Sequence, residues 1–310
     1  TIDACYLHDG SGMTGGLKTD EGEWNTVGHS DRIVQVSDDQ LKVFAQLYDE
    51  TGTPPRQARL PALHAKSLSS VLAKVASYHK RMVDLSDQYF PSYMFDENMS
   101  QQKGILGRRK PIDDGFAQFP SSWVLSGPHF YVANPLSQTP KRICETHRAY
   151  DNVDLEVIPD DYLPRTNYHP MADRAEYARR TPTVSWRETV SLTLPWEEFT
   201  PAEQEAHPQC QGQKVTVQRT LPAKLVTECF RYVHRRRIGS SSERTLSSAI
   251  VPPGTAHVHT VMSLTYRDNS KLIDVAGFSH SLIADFFVKS TGLADLYDST
   301  FSRLPYLTSN

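Results

Sequence analysis

The chain is short of cysteine, of long apolar runs and of any excess of one charge, and each shortage removes a class of function. Four cysteines in 310 residues, Cys5, Cys144, Cys210 and Cys229, share no Cys-x-x-Cys spacing. That argues against a structural zinc site or a disulfide framework and fits a reducing cytoplasm. No apolar run approaches the ~20 residues that a membrane span needs, so no membrane partner is expected. Lys and Arg number 33 against 36 Asp and Glu, a net charge of −3. A chain-wide basic field of the kind that holds nucleic acid unaided is therefore missing. No segment repeats. The opening Thr1-Ile-Asp-Ala-Cys-Tyr has neither an initiator Met nor a signal-peptide pattern, and we read the chain as part of a longer polypeptide.

Complete catalytic motifs are missing as well. Gly10-Ser-Gly12-Met-Thr-Gly15 matches Gly-x-Gly-x-x-Gly, but polar Lys18-Thr-Asp-Glu-Gly-Glu follows where a nucleotide site needs an apolar-faced helix. A glycine-rich turn is expected there. Asn134-Pro135-Leu136-Ser137 lacks the second proline and the aromatic with which amino-methyltransferases grip and stack a flipped base. Asp154-Leu-Glu156 and Asp160-Asp161 are not followed by the Glu-x-Lys of common nuclease metal sites, and no Gly-x-Ser-x-Gly elbow occurs. His257-Val-His259 would share one face of a strand, yet a zinc site needs three or four ligands, and only His280 or Asp285 stands nearby as a third. No catalytic residue and no metal ligand is assigned. The two histidines are read as a hydrogen-bonded pair, with a base contact open because imidazole both donates and accepts.

What is present describes an α+β chain. Ser37-Asp-Asp-Gln40 is a capping box that opens a helix with Leu41, Phe44, Leu47 and Tyr48 on one side, and Gly52-Thr-Pro-Pro55 breaks it. Residues 62–84 read as a long helix. Residues 8–30 read as loop, and the polar stretch 97–121, with Gly104, Gly107, Pro111 and Pro120, marks a boundary. A mainly helical part, 1–120, is expected before it and a strand-rich part with packed helices, 121–310, after it. Strands are expected at Trp123–Leu125, Phe130–Ala133, Val190–Leu194, Val215–Thr220, Leu246–Val251, Val258–Tyr266 and Leu272–Phe278. Helices are expected after the capping box Thr200-Pro-Ala-Glu203, over 223–237, and over 281–291 with Gly292 as its C-cap.

Charge is uneven within the second part. Residues 214–244 hold Lys214, Arg219, Lys224, Arg231, Arg235, Arg236, Arg237 and Arg244 against Glu228 and Glu243, a local balance of +6. On a helix, Val226, Cys229, Phe230 and Val233 would face the core, and Lys224, Arg231 and Arg235 would stand opposite as phosphate contacts. The same charges also suit an ordinary solvated helix face. Arg108, Arg109 and Lys110 form a second cluster, suited to a basic arm along DNA or to a solvated hinge. Arg174, Arg179 and Arg180 flank a short helix beside Asp173 and Glu176, where surface pairing is the default. Tyr168, Trp186, Tyr232 and Tyr266 are large enough to stack on bases, although such side chains more often fill cores.

Five strings stand in one order along the chain: Gly127-Pro-His-Phe-Tyr-Val-Ala-Asn134-Pro, Pro159-Asp-Asp-Tyr-Leu-Pro-Arg-Thr-Asn167-Tyr168, Glu243-Arg-Thr-Leu-Ser-Ser-Ala-Ile-Val-Pro252-Pro-Gly254, Asp285-Phe-Phe-Val-Lys-Ser-Thr-Gly292 and Ser302-Arg-Leu-Pro305. Together they resemble the target-recognition region of large fused bacterial restriction-modification, or phage-defence, adenine-specific DNA methyltransferases, over most of residues 25–305. The resemblance implies a non-catalytic domain that holds duplex DNA through phosphate contacts and reads base edges. It implies a methyltransferase domain of the same polypeptide as a partner, with S-adenosylmethionine bound in that parent and no cofactor in this chain. The DNA-contact candidates are Lys224, Arg231, Arg235, Arg108, Arg109, Lys110, Tyr168, His257 and His259. Two rivals stay open. One is a nuclease or methyltransferase fragment with an atypical site around Asn134, Asp160, Asp161, His257 and His259. The other is an interaction module within the parent.

Overall fold

The computed structural model describes residues 2–108, 119–130, 135–146, 148–160, 162, 164–239 and 242–308. Among them run nine helices: α1 (Ile2–Leu7), α2 (Asp38–Tyr48), α3 (Leu68–Ser77), α4 (Glu97–Gln102), α5 (Arg174–Arg180), α6 (Pro201–Ala206), α7 (Asn269–Ser279), α8 (Leu282–Ser290) and α9 (Asp298–Phe301). The strands are β1 (Tyr89–Ser92), β2 (Leu106–Arg108), β3 (Val124–Leu125), β4 (Gln138–Pro140), β5 (Tyr150–Asn152), β6 (Tyr168–Pro170), β7 (Thr189–Pro195), β8 (Lys214–Thr220), β9 (Arg231–Arg235), β10 (Ser248–Val251), β11 (Ala256–His257) and β12 (Val261–Tyr266). The fold is mixed α+β, with several small sheets. No described helix is long and apolar enough to cross a membrane.

The central sheet has the order β1-β12-β9-β10 and is antiparallel throughout. Side chains alternate across it, so one face carries Tyr232, Met262, Leu264 and Tyr266 into a core shared with Phe44 and Leu47 of α2, Leu72 of α3, Leu272 of α7 and Phe287 of α8. The other face carries Val233, Val251 and Val261 against Leu125 of a second sheet, β11-β3-β6-β2, and Phe130 of the turn that follows β3. The expected boundary at 97–121 therefore does not separate two cores. Helices from residues 38–77 and strands from 231–266 bury their apolar faces together, and β1 pairs with β12 along its whole length.

Capping chemistry set several element ends as expected. In α2, Gln40 N donates to Ser37 Oγ at 3.3 Å and Ser37 N to Gln40 Oε1 at 2.9 Å. In α6, Thr200 and Glu203 make the reciprocal pair. Gly292, at φ +64°, follows the end of α8. Gly10, Gly12 and Gly15 all sit at positive φ with no helix after them, as a glycine-rich turn requires.

Several expected elements differ in the structure. Leu272–Phe278 is helical, within α7, because Leu272, Val275, Ala276 and Ser279 bury at i, i+3, i+4 and i+7 under an Asp268 cap. The helix at 62–84 is shorter, α3 alone, since Ala62 N is tied to the Ser290 carbonyl at 2.8 Å and the chain turns extended at Tyr78. Phe130 lies in a 3-10 turn rather than a strand, and 131–134 fall outside the described residues.

The expected helix 223–237 is a short turn at Val226–Glu228 followed by β9. Its helical period was a coincidence of a short window. Phe230, assigned to the core on that reading, is 47% exposed. Tyr232 and Val233 favour a pleated strand, and β9 is bonded on both edges, to β10 and β12.

Candidate nucleic-acid interface

The correction to β9 dissolves the basic stripe. Arg231 sits mid-sheet and is fully buried. Its hydrogen-bond partners are neutral: the Thr255 carbonyl, the Ser263 hydroxyl at 3.4 Å and the Met94 sulfur at 3.4 Å. Its Nε has no partner. Burial pulls its guanidinium down to about 10. Arg231 is interior architecture and cannot meet a phosphate. Arg235, at the end of β9, is half-buried and engaged within the fold.

Lys224 is exposed but holds Glu188 at 2.9 Å. Arg219 grips Glu203 at 2.7 and 2.9 Å, and Arg236 and Arg237 share Asp295 at 3.6 and 4.0 Å. Arg244 lies 3.6 Å from Asp285. Most of the +6 is thus opposed by carboxylates that lie nearby in sequence or in space.

The two histidines also part company. His257 is buried; its Nε2 meets Ser263 Oγ at 2.8 Å and its Nδ1 meets the Val258 carbonyl at 3.1 Å. Burial, with Arg231 nearby, lowers its pKa to about 3. His259 is partly exposed and faces the start of α4, where its Nδ1 accepts from Glu97 N at 3.3 Å and lies 3.9 Å from Asp96. Among the described residues no group of three or more His, Cys, Asp or Glu could hold a metal. Asp160 is exposed in a turn closed by Tyr162 N on the Pro159 carbonyl; Asn134 and Asp161 lie outside the described residues.

Around the second sheet a different arrangement of cations emerges. Arg108, closing β2, lies 5.3 Å from the Tyr168 ring centre and donates to its hydroxyl, to Glu97 at 3.3 Å and to the Glu145 carbonyl at 2.7 Å. Tyr168 is 1% exposed and donates its own hydroxyl to Glu97, so it is unavailable for base stacking. The Glu145 contact ties the loop after β4 to the end of β2. That loop carries Lys141, Arg142 and Arg148, all exposed, against Glu145. Lys141 has only a long 3.9 Å pairing, to Asp151. Lys103 is exposed just before β2. Arg109 and Lys110 follow Arg108 but lie outside the described residues.

Behind this loop is a buried polar network. Ser126 Oγ lies 3.2 Å from both His129 Nδ1 and Tyr150 Oη, and His129 Nε2 contacts the Arg165 carbonyl at 2.8 Å. Asn167 reaches Cys144 Sγ at 3.6 Å. Burial pushes the Cys144 thiol up despite nearby Arg108.

No family model and no curated protein matches the chain. The five strings are nonetheless tied into the fold's framework. Asp285 Oδ1 accepts Thr245 N at 2.7 Å and Leu246 N at 2.8 Å, and Lys289 donates to the Glu243 carbonyl at 3.4 Å, so the third and fourth strings clasp each other. Arg303 of the fifth donates to the Asp49 carbonyl at the end of α2. His129 of the first bonds Arg165 of the second.

Sequence reasoning missed Lys141, Arg142 and Arg148. Their signal was present as three basic residues within eight positions between turns, smaller than 214–244 in net charge. It also missed the outward face of the β7–β8 hairpin, although both strands were expected. Alternating Thr-Val-Ser-Leu-Thr and Val-Thr-Val-Gln-Arg-Thr marked that face as polar.

Proposed function

We propose that this chain recognises duplex DNA on behalf of an adenine-specific methyltransferase domain of the same polypeptide, in the cytoplasm, and performs no chemistry itself. The observation that carries this reading is the set of exposed cations at one edge of the second sheet. Arg108, Lys141, Arg142 and Arg148 stand on β2 and on a loop fastened to it, beside the strings that resemble a recognition region. Cations so placed contact phosphates and fix orientation, while other side chains read the bases. S-adenosylmethionine belongs to the parent's methyltransferase domain.

A second reading, an interaction module, draws on the exposed apolar side chains near the start of the chain. Leu7 is 86% exposed and Met13 94%, and Ile2, Tyr6, Trp24 and Val27 accompany them. Such a surface suits contact with another protein domain. Fluorescence anisotropy with labelled duplex and single-stranded DNA decides between the two. Saturable duplex binding that weakens with salt supports recognition; no binding of either at low salt leaves the interaction module.

A further inference from the structure

The hairpin β7–β8 forms a sheet of its own, with seven paired positions from Thr189↔Thr220 to Pro195↔Lys214. Because directly opposed residues point to the same side, its two faces follow from the register. One face carries Val190, Leu192, Leu194, Val215 and Val217, and with them Arg219. Arg219 donates to Glu203 of α6 and, at 2.9 Å, to the Glu198 carbonyl. That grip holds the turn at 196–198 and α6 against the apolar face. Arg219 and the reciprocal Thr200 contacts bring the Glu203 carboxyl down to about 2.

The opposite face carries Thr189, Ser191, Thr193, Thr216, Gln218 and Thr220, all exposed. It has no carboxylate, and Lys214 stands at its far end. The carboxylates of this segment, Glu197, Glu198, Glu203 and Glu205, belong to the turn and helix on the other side; Glu188, at the base, is neutralised by Lys224. Cross-strand bonds fix the polar side chains: Thr193–Thr216 at 2.9 Å, Gln218–Ser191 at 2.7 Å and Thr189–Thr220 at 3.2 Å.

We propose that this polar face enters the major groove of duplex DNA and reads base edges. The inference rests on the duplex-DNA reading above and adds the reading element. A two-stranded ribbon fits the major groove, which is about 12 Å wide, and strands of this length span roughly 20 Å. A hydroxyl both donates and accepts, so each bridged Thr or Ser keeps capacity for a base. The Gln218 amide matches the adenine edge, and threonine methyls suit the thymine methyl. Side chains already fixed by their neighbours lose less freedom on binding. The uncharged face beside a lone lysine meets the groove without repelling the phosphates.

The test is selection from a randomised duplex pool by the full chain, with sequencing, for wild type and for T193V/T216V/Q218V. Valine keeps threonine's shape and favours strands, so thermal melting should be unchanged. A second variant, T193S/T216S, keeps the hydroxyls. We expect a consensus for wild type and for the Ser variant. The Val variant should lose at least about tenfold preference at two or more positions while holding unrelated duplexes within about twofold. The same consensus from the Val variant overturns the inference and leaves duplex recognition standing. Equal loss on all duplexes by the folded Val variant also overturns it, since the face would then hold backbone. Failure of wild type to bind any duplex overturns the reading on which the inference rests.

Discussion

The segment 214–244 and the loop at 141–149 invert the order that their net charges, +6 and +2, give them. The first has eight basic residues against two acidic, the second three against one. In three dimensions the first is spent on structure. Arg231 is buried between sheets, and Arg219, Lys224, Arg236, Arg237 and Arg244 have carboxylates within 4.0 Å. In the loop Lys141, Arg142 and Arg148 all stay exposed, and Arg108 on the Glu145 carbonyl ties the loop to the end of β2. A count of cations in sequence does not say where they stand: burial and exposure in the fold decide that, and here they favour the smaller cluster.

The sharpest way to break this comparison is at Arg231. Arg231→Ala should cost about 3 kcal/mol of stability in urea unfolding, from the cavity and the abandoned Thr255 carbonyl. Arg231→Met should cost far less or stabilise, because it fills the site and removes a buried charge that lacks a carboxylate. An Arg231→Ala variant with native stability would put the side chain back at the surface and restore the stripe.

The fold was legible where short-range chemistry decides it. The capping boxes at Ser37 and Thr200 name their helices, because both partners lie three residues apart. β7 and β8 were legible from strict alternation. β9 was not, because Arg231 and His234 are polar yet buried, and only the sheets on either side make that so. The site was legible in part: Arg108 was named from sequence, but its neighbours Lys141 and Arg148 reach it through a contact of long sequence separation. Tyr168 and His257 were named for chemistry that polar partners in the interior already occupy.

The two packed sheets should also respond to pH, through His234 of β9 and His257 of β11. Burial brings His234 to about 4 and His257 to about 3, against ~6.5 in an unfolded chain. Below ~6.5 the unfolded chain takes up these protons and the fold does not. Stability is therefore complete above that pH and falls as pH drops toward 4, by about 1.4 kcal/mol per pH unit for each histidine. Denaturant midpoints measured at stepped pH check this, and an H234F variant should lose part of the slope. A flat profile from about pH 7 to about 5 would mean that the imidazoles reach solvent.

The smallest effect is expected at Lys224. Its pair with Glu188 is exposed on both sides, so Lys224→Gln should shift stability by no more than about 0.5 kcal/mol. A double-mutant cycle with Glu188→Gln measures it. A coupling above about 2 kcal/mol would make the pair a structural clamp.

The measurement that bears most directly on the account is the salt dependence of duplex binding for two sets of charge variants. K141Q/R142Q/R148Q should flatten the slope of log affinity against log salt by about 0.9 for each phosphate no longer neutralised, on any duplex. K224Q/R236Q/R237Q, drawn from the segment of larger net charge, should leave the slope as in wild type. The reverse outcome, an unchanged slope for the loop variant and a flattened one for the second, would contradict the account and return the DNA surface to residues 214–244.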